Sequence, residues 1–598
     1  MKKVCGILSA LALMSPAYAM SATDSTADLQ KKIDILAKEL ESLKKQMNDV
    51  AEKQAKVADE SESMAEKLEG VVGKSNLEFS GDFRFRIDST RADVPEHFSG
   101  TDMYNAMTTI PGQMASMSSA QLGQSLMPMM SALSPEMQQQ MGGMMQQWDS
   151  MTTDQRTAAF GSAMQQMMGA LTPAQRAQMM QMFGYTSQPS RDIENDLLYT
   201  NRLRLNMNAK ASENLAFKGR LAMYKIWGME TSTTTAVPFG MNGFVWDPNI
   251  SRRPHDNTLR VEMAYANWEN IGGIPMWFSV GRRPTVDGPP LQLKENLSKR
   301  YATPVGLGVD WTFDGLTIGY GYSEPFPGKV RICYGRGYES GFKDMYEDNF
   351  DDTDLYGVSW DIIDDKDADI FANVQLFRAA DIPNYMEATM PFVVNPQNPT
   401  YLLNMMPAIE SGMYDGYQVG DIYHASGVFM HKINGIDYFV SAGLSRTDNN
   451  FVDPKGLFPG LMTAPGEDEN RTGWAFYTGV RVPVESLNSK FGVEYNYGSR
   501  YWITFTPAAD DLYQSKLATR GHVAEAYWIY TLPEDFITKN ANAFIRAGYQ
   551  YYWMNYTGSG NWMGKPIDVN ELNDPMNAQQ FTPVDKMDNA YLTFEVYF

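Results

Sequence analysis

From residue 77 onward, apolar and polar positions alternate with a period of two in segments about ten residues long. In the first, Leu77, Phe79, Phe83, Phe85 and Ile87 share one face, and Glu78, Ser80, Asp82, Arg84, Arg86 and Asp88 share the other. The chain ends the same way, with Leu592, Phe594, Val596 and Phe598 on one face. Charges along the inner face do not suit the core of a soluble sandwich, whereas a water-filled transmembrane barrel requires strands that are apolar outside and polar inside. Strand-like alternation recurs near 77–88, 197–211, 215–227, 258–268, 276–283, 306–313, 316–323 and 354–362. It continues near 369–378, 420–432, 436–446, 473–482, 490–500, 523–532, 541–553 and 589–598. The pattern predicts an all-β membrane protein, an antiparallel transmembrane β-barrel of about sixteen strands over 76–598.

Connection lengths support the count. Even-to-odd connections are short: Ser212 to Asn214, Asn270 to Pro275, Asp314-Gly315, Asp364 to Ala368, Asn434-Gly435, Pro483 to Ser489 and Pro533 to Asn540. Asp-Gly and Asn-Gly are the dipeptides that tight hairpins favour. The opposite connections are long, as expected of the cell exterior.

The N-terminus reads differently. Met1-Lys2-Lys3, an apolar run from Val4 to Met14 and Ala17-Tyr18-Ala19 have the form of a secretory signal over 1–19. Within 20–70, Leu29, Ile33, Leu36, Leu40, Leu43, Met47 and Val50, then Gln54, Val57, Ser61, Met64 and Leu68, follow a four-three spacing. That is the seam of a periplasmic coiled coil, roughly 60 Å long at 1.5 Å per residue, and the alternative is one amphipathic helix lying on the barrel. The heptads predict a homo-oligomer joined through Leu29 to Val50 and leave dimer and trimer open.

Composition narrows the class. No later segment has the ~20 consecutive apolar residues of a spanning helix, so membrane residence falls to strands. A net charge of −21 argues against nucleic acid, and 12% aromatic residues suit interfacial girdles. With Cys5 in the signal, Cys333 is left alone, without an internal disulfide or a cysteine metal cluster.

The segments LEFSGDFRFRID, YTNRLRLNMNAK and LAFKGRLAMYK and the terminal phenylalanine resemble the bacterial outer-membrane porins, most closely a poorly characterised porin-like group with an N-terminal helical stretch. The resemblance implies residence in outer-membrane lipid, trimeric assembly, passive solute diffusion and recognition of Phe598 by the barrel-assembly machinery. General porins have no counterpart of residues 101–190, here a Met-rich helical insertion within the first exterior loop.

Three sets of residues are candidates for function. Arg84 and Arg86, then Arg202, Arg204 and Lys210, then Lys218 and Arg220 fall on the inward face of the first three strands. Together they make a pore-lining basic wall that would concentrate anions, or else a set of braces for lumen carboxylates. The third exterior loop, Gly281 to Tyr301, carries Arg282, Arg283, Asp287, Lys294, Glu295, Lys299 and Arg300 with stiffening prolines. It reads as a constriction folded into the lumen, against the alternative of a surface loop.

The insertion holds 18 of the 41 methionines between 101 and 185. Ser134-Pro135, Thr152-Thr153 and Thr172-Pro173 look like helix starts, with Gln155 and Gln175 placed for capping boxes. Thioethers at Met141, Met144, Met145, Met164, Met167, Met168, Met179, Met180 and Met182 would suit Cu(I), but methionine in place of leucine in a helical core explains them more simply. The acidic runs Glu347 to Asp354 and Asp361 to Asp369 lack a complete calcium loop, and His97, His255, His424, His431 and His522 are scattered. No metal, cofactor or catalytic site is assigned.

The reading is an outer-membrane porin for small hydrophilic solutes, biased toward anions and not an enzyme. The rival is a structural or adhesive barrel that tethers the envelope or binds a partner through the Met-rich helices. If the heptads join chains, Leu36→Asp with Leu43→Asp will weaken assembly without blocking barrel insertion. Crosslinking checks this, and an unchanged oligomer refutes it.

Overall fold

The computed structural model describes residues 76–598 apart from 131–132, 229–253, 255–256, 284–286, 298–299, 301–305, 313, 341–350, 384–417, 451–458, 465, 507–510, 513–514, 534–541 and 580. The signal over 1–19 and the heptads of 20–70 lie outside the described residues, as do His255 and Lys299. The first eight strands are β1 (Leu77–Val94), β2 (Arg191–Lys210), β3 (Leu215–Ile226), β4 (Arg260–Trp268), β5 (Met276–Arg282), β6 (Asp314–Tyr322), β7 (Gly328–Tyr338) and β8 (Thr353–Asp365). The other eight are β9 (Ile370–Pro383), β10 (Gln418–Ile433), β11 (Ile436–Asn449), β12 (Thr472–Val484), β13 (Ser489–Gly498), β14 (Gly521–Thr531), β15 (Asn542–Met554) and β16 (Lys586–Tyr597).

Each strand pairs antiparallel with the next, and β1 pairs with β16 from Asp82↔Tyr597 to Asp93↔Lys586, which closes the barrel. Closure is what hydrocarbon demands, because an open edge would leave backbone groups unpaired at a cost of several kcal/mol each, on the order of the loss of a buried hydrogen bond. The outer surface exposes Phe83, Ile318, Ile332, Leu376, Val440 and Val493, whereas Arg84, Thr317, Asn373, Ser441 and Asn496 are buried inside. At the seam the backbones of Phe598 and Gly81 bond mutually at 3.0 and 2.8 Å. The Phe598 ring covers Gly81, where a Cβ would stand 2.7 Å from it.

The count of sixteen matches the sequence reading, but one strand was misplaced. Of the segment 306–313, the described residues 306–312 form no strand; Val309 and Trp311 instead pack against Ile503, Phe505 and Trp562 of other connections, inside the barrel. Their alternation reflects packing between connections. The strand missed is β7, where Val330 and Ile332 face outward and Arg331 inward. It falls within what reads in the sequence as a long exterior connection between 323 and 354. Asp314-Gly315 accordingly opens β6, with Asp314 opposite Arg282 and Arg336, and the turn lies at 323–327. By contrast Asn434-Gly435 does make a tight hairpin, with φ of 51° and 81°.

The connection between β1 and β2 carries five helices: α1 (Gly100–Ala115), α2 (Ser119–Met130), α3 (Pro135–Trp148), α4 (Thr153–Ala170) and α5 (Pro173–Met182). Ser134, Thr152 and Thr172 cap α3, α4 and α5, the last two through reciprocal bonds with Gln155 and Gln175. Met141, Met164, Met167, Met168, Met179 and Met180 are buried with Trp148, Phe160 and Leu122, Met144 and Met145 pack at the edge, and Met182 is exposed. The thioethers thus fill an irregular apolar core, which suits an unbranched, flexible side chain. Arg176 ties the insertion to Asp574 in the 555–585 connection through Nε at 2.7 Å.

His97 and Gln188 pair at the base of the insertion, so its two ends lie together above the rim. Replacing residues 101–190 by a short turn should therefore leave heat-modifiable barrel migration on gels intact. Loss of the folded band would show that the helices are needed to build the barrel.

Candidate functional site

Described parts of the 283–313 and 499–520 connections lie inside the barrel. The 283–313 connection begins after β5 and sends a short helix, α6 (Leu291–Lys294), across the lumen. Asp287, Leu293, Lys294 and Glu295 are all buried. A polar segment survives there because charged inward-facing groups on opposite walls hold it.

On the β1–β3 wall, strand register sets like charges side by side. Arg84 lies opposite Arg202 and Asp82 opposite Arg204. Adjacent arginines repel, so carboxylates must intervene. Asp82 accepts from Arg202 at 3.1 Å and from Arg204 at 2.7 Å. Asp287 of the connection reaches Arg204 at 2.9 Å and also pairs with Arg220, while Glu295 lies 3.5 Å from both Arg202 and Arg204. Glu262 completes the set at 3.1 Å from Arg220. Arg86 is bonded to Asp88 at 2.7 Å, and Arg84 donates to Tyr224 at 2.8 Å.

The far wall holds the other end. Arg481 donates to the Leu293 carbonyl at 2.7 Å and Arg546 to the Lys294 carbonyl at 2.6 Å. Lys294 pairs with Glu525 at 2.6 Å, and Lys490 donates to Asn296 at 2.7 Å. Lys516 enters from the 499–520 connection and lies between Glu494 and Glu525. Burial opposes its charge, yet the two carboxylates hold its ammonium well above the usual range.

The sequence-selected residues therefore divide. Arg84, Arg86, Arg202, Arg204 and Arg220 converge with Asp287, Lys294 and Glu295 in one network. Lys210 lies apart, paired with Glu78 at 3.0 Å on an exposed edge, and Lys218 is half-buried opposite Asn208. Arg282 bonds Thr312 at 3.1 Å, and Arg300 pairs with Asp364 at 2.8 Å. Arg283 borders a cavity between β4 and β8. Sequence reasoning missed Arg481, Glu494, Glu525 and Arg546, although each lies on the inward face of a segment already read as a strand. Lys516 had no such signal.

Residues 347–350 of the first acidic run lie outside the described residues, and the described members of the acidic runs and the described histidines form no comparable centre. Asp361 pairs with Lys329 at 3.1 Å, and Asp365 caps its own turn by accepting from Asp367 and Ala368. His431 and His522 bond Tyr438 and Tyr495, while His424 is buried against Phe377. Among the described residues no three His, Cys, Asp or Glu side chains are grouped to hold a metal.

Closed pairing, an apolar exterior and a charged interior define a transmembrane β-barrel with inward-folded connections. The chain belongs to a family described as a protein of unknown function (DUF3373), whose sequence profile matches residues 192–598. No curated protein matches it by sequence. Among solved structures it is similar to OmpT of Vibrio cholerae, an outer-membrane protein in trimer form (11% identical, 69% of this chain and 94% of that one, TM-score 0.32). It is also similar to an anion-selective porin from Comamonas acidovorans (9%, 67% and 93%, TM-score 0.34) and to Pseudomonas putida OprB (9%, 87% and 94%, TM-score 0.37). Similarity this remote adds nothing to the strand pairing, which defines the barrel on its own.

Removing one partner of a buried ion pair costs roughly 3–5 kcal/mol. Asp287→Asn with Glu295→Gln should therefore undock the 283–313 connection, lower the unfolding midpoint and open the segment to trypsin. Unchanged trypsin resistance would mean that the far-wall contacts suffice.

Proposed function

We propose that the chain forms a bacterial outer-membrane channel through which small hydrophilic solutes diffuse, with a bias toward anions. The observation that carries the reading is a closed barrel with a polar interior and water-accessible space along one wall. A cavity of about 960 Å³ lies at the short-turn end of β4–β8. A second, of about 220 Å³, lies beside β5–β9 and is lined by Arg282, Trp311, Thr312 and Arg336. In this reading the two are parts of one off-centre path, and the 283–313 connection narrows it. The basic wall of β1–β3 then acts through the docked connection, since carboxylates face its buried arginines.

Assembly belongs to the same proposal. Heptads at Leu29 to Val50 would join copies, most simply a trimer, and the exposed Phe598 ring at the seam would present the barrel to its insertion machinery. The short turns would then face the periplasm.

One observation favours the second reading, a silent structural barrel. Leu293, Leu307, Trp502 and Leu517 from the connections pack on Val428, Phe439 and Tyr477 and fill the β9–β12 side. Single-channel recording of the full chain in planar bilayers decides between them. Discrete steps, with a reversal potential in a salt gradient on the anion side, support the channel. A folded, heat-modifiable barrel that never conducts supports the structural role.

A further inference from the structure

Arg283 stands out from the other inward arginines because two of its guanidinium nitrogens meet no acceptor among the described residues. Its Nε and Nη1 are buried and have no hydrogen-bond partner. Among the described residues no carboxylate lies within ion-pair distance of it. The charged group beside it is Arg331, another cation, with the Cys333 thiol and Tyr265 nearby. An unmet buried donor is costly, on the order of 1–3 kcal/mol and more for a charged group, and among the described arginines only Arg283 has two such nitrogens.

The cavity on which Arg283 borders has the makings of a binding site. Its wall includes Tyr265, Trp277, Ser279, Arg283, Lys329 and Arg331. The Trp277 ring lies across Gly319, where a Cβ would come within 2.1 Å of it, so the missing side chain gives the ring its place. Lys329 and Arg331 share Asp361 at 3.1 and 3.4 Å, and Lys329 also reaches Asp364 at 3.6 Å. Those carboxylates are engaged by the cations beside them. Glu269 and Glu324 stand on the turns at the rim, whereas Arg283 follows the opposite end of β5. Positive charge is thereby concentrated at the deep end of the cavity.

We propose that this cavity binds small oxyanions, carboxylates and phosphates, with Arg283 as the principal contact and Arg331 and Lys329 in support. A guanidinium presents paired N–H donors that match the two oxygens of a carboxylate or phosphate. A bound oxyanion would supply the counter-charge that the protein withholds from Arg283. Trp277 and Tyr265 offer apolar faces to the body of an organic anion. The proposal rests on the channel reading only for how the anion arrives.

The test uses detergent-solubilised full chain, titrated with inorganic phosphate in a calorimeter at fixed pH and ionic strength. Wild type should bind saturably, Arg283→Gln at least tenfold more weakly, and Arg283→Lys in between. Folding of each variant is checked by heat-modifiable migration, and no ion pair to a described residue is removed. Absence of saturable binding in wild type, or equal affinity in Arg283→Gln, overturns the proposal. The same proteins are recorded in bilayers with chloride as carrier. A silent barrel that binds phosphate through Arg283 upholds the site and removes the channel. A conducting barrel without such binding removes the site and keeps the channel.

Discussion

A polar connection crossing the inside of the barrel is the constraint on which the rest of the structure depends. Backbone carbonyls and carboxylates withdrawn from bulk water must find donors, or the segment would return to the surface. The barrel supplies them as fixed guanidiniums on opposite walls. Arg204 and Arg220 hold Asp287, while Arg481 and Arg546 hold the carbonyls of Leu293 and Lys294. Rigid strands set the spacing of these donors, so the connection can settle in few positions. Such pairs give specificity more than net stability, since desolvating both partners consumes most of the attraction.

With the connection fixed, apolar packing distributes the remaining space. Leu293 and Leu307 turn toward Phe439, Tyr477 and Trp502, and Val309 and Trp311 toward Phe505 and Trp562. That packing covers the inner face of β9–β12. On the opposite side, β4–β8, the inner face carries Ser279, Thr317 and Arg331. The asymmetry of the lumen is therefore a consequence of which residues of one connection are apolar. Trp311 and Leu293 face one way, whereas Asp287 and Glu295 answer the arginines of β2 and β3.

How much of this was legible in the sequence depends on the range of the interaction responsible. Alternation is local, so Phe83 and Arg84, or Phe594 and Glu595, reveal their faces unaided. Caps are local too, and Thr152 with Gln155 announces α4. Residues 306–313 misled because Val309 and Trp311 alternate for partners nearly 200 residues away, at Phe505. β7 was hidden because its apolar face, Val330, Ile332 and Tyr334, is short and bounded by glycines at Gly328, Gly335 and Gly337. Inward-facing arginines were visible as a set, but their pairing was not, since Asp82 is adjacent by register and Asp287 and Glu295 arrive only when the connection folds.

That distinction matters for ion preference. An arginine on the inner face does not by itself make a positive lumen, because a carboxylate at about 3 Å cancels most of its field beyond a Debye length of about 8 Å. Arg202 and Arg204, conspicuous in the sequence, are neutralised by Asp82 and Glu295. Arg283, unremarkable among the charges of its connection, has among the described residues only a like charge beside it, Arg331, with Cys333 and Tyr265 nearby. Sites where a folded protein leaves a local rule unmet while meeting it everywhere around are where function is to be sought. In the proposed channel, the field on a diffusing anion would therefore depend on cations such as Arg283, which has no carboxylate within ion-pair distance among the described residues, more than on the number of arginines that line the lumen.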